Sequence, residues 1–171
     1  YTTLVFPYFV GLYGHNDFET SMQALEYFTQ FGSSEFAIRE FLKRDFNKTI
    51  KVMQQWAKDK NHHVRRLASE GSRPRLPWSF KLDEVIKHPE KTLSILETLK
   101  EDKELYVKKS VANHLNDISK DNTEWMLGVL QKWDNTNPHT LWIKKHASRT
   151  LIKKGNAASL SLFNFEKNTK V

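Results

Sequence analysis

The chain has 171 residues, enough for one domain, and 39% of them are hydrophobic, enough to bury a core without implying a membrane protein. Its 27 basic against 20 acidic side chains give a net charge of +7, which favours an anionic partner, nucleic acid or anionic lipid. Cysteine is absent, which excludes a disulfide framework, zinc-finger thiolates and a cysteine nucleophile, and fits an intracellular protein.

Leu4 to Tyr13 is the most apolar stretch, but it is too short for a bilayer span, is broken by Pro7 and lacks a basic flank, so neither an anchor nor a signal peptide is expected. Next, Ser33 or Ser34 starts a helix through Phe36-Ala37-Ile38-Arg39. A second helix carries His63-Val64-Arg65-Arg66. From Gly71 to Phe80, Pro74 and Pro77 forbid regular helix, and an ordered loop is expected. Pro89 sits near the first turn of a helix with Leu93, Leu96 and Leu99 in phase. Helices follow through Tyr106-Val107-Lys108-Lys109, from Asp121 or Asn122 through Trp125 to Trp133, and through Trp142-Ile143-Lys144-Lys145.

The four tetrads share an apolar residue followed by basic ones. The intervals between Ile38, Val64, Val107 and Ile143 are 26, 43 and 36 residues, in the range of stacked helix pairs. A helix pair cannot bury its apolar face alone. The expected fold is therefore all-α, with degenerate HEAT-like repeats stacked in a curved right-handed α-solenoid, as one domain over residues 1–171.

Residues four apart share a helix face, so the second basic residue of each tetrad leads a stripe. These stripes read Arg66 and Glu70, then Lys109, Asn113 and Asp117, then Lys145, Arg149 and Lys153. Pro138 to Gly155 holds five Lys or Arg and no carboxylate, and Lys58 to Lys81 likewise carries a local charge of +5. Such a concave surface attracts duplex DNA through its phosphates, with affinity that falls as salt rises. Glu70 and Asp117 within it repel phosphate and so require a neutralising partner or a cationic ligand. A base methylated at a ring nitrogen is cationic and a good leaving group; its departure builds positive charge on the sugar, which a carboxylate stabilises while orienting water. Trp78, in the loop Arg73-Pro74-Arg75-Leu76-Pro77-Trp78, offers an aromatic face for such a nucleotide.

The blocks Ser34-Glu35-Phe36-Ala37-Ile38-Arg39, His63-Val64-Arg65-Arg66-Leu67-Ala68-Ser69-Glu70-Gly71, Arg73-Pro74-Arg75-Leu76-Pro77-Trp78 and Val111-Ala112-Asn113-His114-Leu115-Asn116-Asp117 resemble the AlkC branch of the HEAT-like DNA alkylation-repair glycosylases. The match runs roughly from Phe18 to Phe165, within a family core of about 14–165. The resemblance implies base excision repair of double-stranded DNA: hydrolytic removal of 3-methyladenine and, in this branch, 3-methylcytosine, without full base flipping. It implies a monofunctional glycosylase with no lyase step, no metal and no cofactor, monomeric, cytoplasmic and nucleoid-associated. Glu70, Asp117 and Glu35 take the acidic positions, and Trp78 the lesion contact. Arg66, Arg73, Arg75, Lys109, Asn113, Lys145, Arg149 and Lys153 bind DNA. Lys108 and Lys109 stand where arginine is expected, which weakens bidentate phosphate contacts. The family carries helices before the first block and, in some members, an immunoglobulin-like domain after the last. Tyr1 to Tyr13 is expected to be a remnant of those helices, and the end at Val171 to leave no room for that domain.

Each chosen residue also has a plain structural explanation. Glu70 pairs with Arg66 one turn earlier, Asp117 ends a helix, and Glu35 suits a helix first turn. Trp78 plugs its loop, while Trp56, Trp125, Trp133 and Trp142 are expected in the core. His62, His63, His114 and His146 lack metal spacing and are expected to be structural or to touch the DNA backbone. A non-catalytic DNA-binding module and a protein-binding scaffold remain as other readings of the same surface.

Overall fold

The structure is a computed structural model that describes residues 2–163; the expected core boundary at Phe165 lies outside the described residues. Twelve α-helices and three short 3-10 segments account for its regular structure, with no strand among the described residues. The helices are α1 Val5–Tyr13, α2 Phe18–Phe28, α3 Glu35–Arg44, α4 Phe46–Trp56, α5 His62–Gly71, α6 Asp83–Lys87, α7 Leu93–Leu99, α8 Leu105–Ile118, α9 Thr123–Lys132, α10 Pro138–Ala147, α11 Arg149–Lys153 and α12 Ala157–Ser161.

The helices form two rows. The tetrad helices α3, α5, α8 and α10 pack side by side, and α1 extends that row by lying along α3. Helices α4, α7 and α9 pack behind them. The apolar member of every tetrad is fully buried: Ile38, Val64, Val107 and Ile143 interlock with Leu67, Val111 and Leu115 in one core. Burying these branched side chains between neighbouring repeats holds the stack together, as expected of HEAT-like repeats.

Two devices tie the rows together. The Trp56 indole donates to Glu26 at 2.9 Å, and the Trp133 indole to Glu97 at 2.7 Å, each pinning the end of one rear helix to another element. Trp56 and Trp133 are core residues as expected, whereas Trp125 and Trp142 are only partly buried. Helix starts are fixed by Asp17, Asp45, Asn61 and Asn137, whose side chains accept from backbone N–H groups of the first turn. Ser34 and Asn122 occupy cap positions without capping. The Ser34 hydroxyl donates to the Leu25 carbonyl at 2.9 Å, and the Asn122 amide to that of Ile86 at 2.7 Å, so both stitch helices together. No helix among the described residues is long and apolar enough to cross a membrane.

The central contact of the front row, between α5 and α8, is closed by His114. Its Nδ1–H donates to the Ser69 carbonyl at 3.0 Å, and the ring is fully enclosed. Burial, reinforced by the nearby Arg73 and Arg39 charges, pushes its pKa down from 6.5 to about 3. Below pH 6.5 the unfolded chain therefore takes up a proton that the folded ring refuses. This part of the stability is complete above that pH and declines as the solution is acidified towards pH 3. The decline amounts to at most about 1.4 kcal/mol per pH unit. His114→Asn, which keeps a donor for Ser69, is expected to flatten the fall of the urea midpoint over this window.

Candidate active site

Three carboxylates far apart in sequence converge at the α3, α5 and α8 junction. Glu35 opens α3, Glu70 lies in the last turn of α5, and Asp117 lies at the end of α8. They are joined in one alternating chain of charge. Arg66 pairs with Glu35 and lies 3.4 Å from Glu70; Arg73 reaches Glu70 at 2.6 Å and Asp117 at 2.7 Å; Lys120 closes the chain on Asp117 at 2.9 Å. Ser110 donates to the second oxygen of Glu70 at 2.6 Å, and Ser33 to Glu35 at 2.8 Å. Glu70 is 6% exposed, Asp117 3% and Arg73 7%.

These side chains correct the picture of bare acids on a basic surface. Every carboxylate has a cationic partner, so charge compensation is internal and a cationic ligand is not needed to explain it. Arg73 is not at the surface for phosphate. Burial alone would push its pKa down, but Glu70 and Asp117 more than offset this, so its pKa is raised. Arg66 is likewise engaged, by Glu35, Glu70 and the face of Tyr106, whose ring centre is 4.8 Å away. Arg75 makes a two-pronged pair with Asp121 at 2.7 and 2.6 Å. Of these three carboxylates, Glu35 is the least saturated, because its side-chain contacts with Ser33 and Arg66 both use Oε2.

Gly71, the last residue of α5, packs directly against α3. A Cβ there would lie 2.5 Å from the buried Ile38 methyl. The chain then enters the loop, at whose tip Trp78 stands 97% exposed with φ of 60°. It is not a plug. A bulky residue in the left-handed region costs about 1–3 kcal/mol and persists only where its surroundings enforce it.

The cationic rim lies on α8, α10 and α11. Lys109, Lys145 and Lys153 are exposed. Arg149 is half-buried, donating to Asn113 Oδ1 at 2.9 Å and to the His146 carbonyl at 2.7 Å. Two tetrad cations expected in register are instead buried: Arg39, and Lys144, which donates to the Trp133 carbonyl at 2.9 Å. Sequence reasoning missed Ser33, Ser110, Tyr106 and Lys120 around the acids. Lys120 follows Asp117 by three residues, a helical spacing that could have found it. Ser110 and Tyr106 carry no signal of their own.

The sequence matches, over residues 16–154, the family described as DNA alkylation repair enzyme. This chain belongs to that family. It is 52% identical over 163 residues to the YhaZ protein of Bacillus subtilis strain 168, covering 95% of this chain and 46% of that protein. Its fold superimposes with a TM-score of 0.93 on the alkylpurine DNA glycosylase AlkC of Pseudomonas fluorescens, solved bound to DNA containing an abasic site analog. The two are 60% identical, over 94% of this chain and 45% of AlkC. AlkD2 of Streptococcus mutans shares the helical-repeat fold at a TM-score of 0.58 and 27% identity, over 78% of this chain and 58% of that one. The chain thus spans just under half the length of YhaZ and of AlkC. The likeness to AlkC expected from the four sequence blocks is therefore present over 94% of the chain.

Removing Arg73 leaves two buried carboxylates facing each other without their shared cation. Arg73→Gln is expected to cost roughly 3–5 kcal/mol. Arg75→Gln, which breaks a partly exposed pair, is expected to cost less than about 1 kcal/mol. Urea unfolding of both variants checks the contrast.

Proposed function

We propose that this chain carries the base-excising core of an alkylpurine DNA glycosylase that removes cationic N-alkylated bases, 3-methyladenine and also 3-methylcytosine, from double-stranded DNA in base excision repair. It acts as a monomer by hydrolysis, with no lyase step. The observation that carries this reading is the chain of Glu35, Glu70 and Asp117 threaded with Arg66, Arg73 and Lys120, in a protein that also exposes Trp78 on the loop after α5 and lysines on α8, α10 and α11.

The chemistry follows from that arrangement. As the C1′–N bond breaks, its electron pair moves to the base and cancels its positive charge, leaving the charge on the sugar. Carboxylates aimed at the sugar favour that state over the substrate. Water then adds at C1′ and gives up a proton. Glu35, with Oε1 outside its hydrogen bonds, and Asp117, whose Oδ1 is held only by a half-exposed lysine, are the oxygens that can take these tasks. Glu70, filled on both oxygens, fixes the two arginines between them. A DNA phosphate attracts Lys120 and Arg66, and so loosens their hold on Asp117 and Glu35 when substrate binds. Trp78 stands outward instead of lining a closed pocket, which supports lesion contact without full extrusion of the base. Lys109, Lys145 and Lys153 hold the backbone, with Asn113 orienting Arg149.

Because Glu70 is saturated, a purely binding module is the second reading. Release of 3-methyladenine from alkylated duplex DNA separates the two. Glu35→Gln, Glu70→Gln and Asp117→Asn are each expected to slow release by about 10²–10³-fold while duplex affinity holds or rises. Salt-sensitive binding with no release by the parent chain would leave only the binding module. Each of Lys109→Gln, Lys145→Gln and Lys153→Gln is expected to lower the slope of log affinity against log salt by about 0.9 per lost phosphate contact.

A further inference from the structure

Among the described residues Arg39 is the largest fully enclosed side chain, and no carboxylate there pairs with it directly. Its guanidinium instead gathers four oxygens. The Nε–H donates to Ser79 Oγ at 2.9 Å, Nη1 donates to the carbonyls of Gly71 at 3.0 Å and Arg73 at 2.6 Å, and Nη2 donates to that of Phe80. The Phe80 ring lies against the same cation at 5.2 Å. Two of these residues precede Trp78 in the chain and two follow it. A single side chain from α3 therefore closes both feet of the loop whose tip carries the strained, exposed tryptophan.

We propose that Arg39 is a positioning residue for Trp78: it draws both ends of the 72–82 loop onto α3 and so dictates where the indole stands relative to the acidic chain. The inference rests on the lesion-contact reading of Trp78 given above. Three observations carry it. The backbone of Trp78 is left-handed, a conformation that relaxes unless its flanks are held. Within the loop the backbone is tied by Ser79 N–H to the Leu76 carbonyl and Leu82 N–H to that of Pro74, neither of which reaches α3. The Arg73 carbonyl held by Arg39 belongs to the same residue whose guanidinium bridges Glu70 and Asp117, so the clamp references the loop directly to the carboxylates. A lysine cannot replace it, because an ammonium has three donors on one atom and cannot span acceptors on both feet.

Arg39→Lys and the milder Ser79→Ala, which removes one of the four acceptors, test the clamp in the full chain. Amide hydrogen exchange across residues 72–82 is expected to accelerate by about tenfold or more in Arg39→Lys and by less in Ser79→Ala, while α8 amides keep their protection. Unchanged loop exchange in both variants overturns the proposal. Single-turnover release of 3-methyladenine from duplex DNA supplies the functional half. Arg39→Lys is expected to slow release by about tenfold with duplex affinity within about twofold, and to add no further loss to Trp78→Ala. Losses that multiply in the double variant mean that Arg39 does not act through Trp78, and overturn the positioning role. If the parent releases no base, the glycosylase reading falls, and loop exchange alone decides whether the clamp exists.

Discussion

The bond between Arg73 and its two carboxylates is the constraint around which the site is arranged. Glu70 ends one front-row helix, Asp117 ends the next, and neither can be buried without a shared cation. Because the arginine comes from the loop after α5, the loop's first foot, the spacing of α5 and α8, and the placement of both acids are settled together. Arg66 and Lys120 then extend the same alternation outward to Glu35 and to solvent. The site is an internally neutral string of charges whose outer members are the ones an incoming polyanion can reach.

The fold was largely legible from periodicity. Apolar positions three and four apart, four tetrads and two prolines locate the helices and the loop, because burial of branched side chains between repeats dominates the energetics. Fine detail was not legible. Ser34 and Asn122 look like caps but donate to carbonyls of other helices, which depends on tertiary neighbours and not on local sequence. Asp17, Asp45, Asn61 and Asn137 do the capping instead.

At the site, the four ordered blocks singled out the three carboxylates that the structure links, but the sequence could not show that they meet, since Glu35 and Asp117 reach each other only through arginines from other segments. It also treated tetrad cations as equivalent. A lysine on a solvent face and an arginine wrapped by four oxygens read alike in one dimension, so nothing in the sequence set Arg39 apart from the other tetrad cations. Arg73 was misread for the same reason: a string of residues gives charge, not the burial that decides whether a guanidinium serves phosphate or carboxylate.

The indole ties to Glu26 and Glu97 bear on mechanics as well as packing. A stack of helices behaves as a short leaf spring, stiff where its leaves are riveted and compliant between rivets. Here one rivet joins α4 to α2 and the other joins the end of α9 to α7, while the contact between α4 and α7 depends on packing. In the front row the rivets sit at the centre instead, where Ser110, His114 and Asp117 of α8 bond Glu70, Ser69 and Arg73. The acidic chain is thus the stiff point of the spring, while the rear row behind it is free to give.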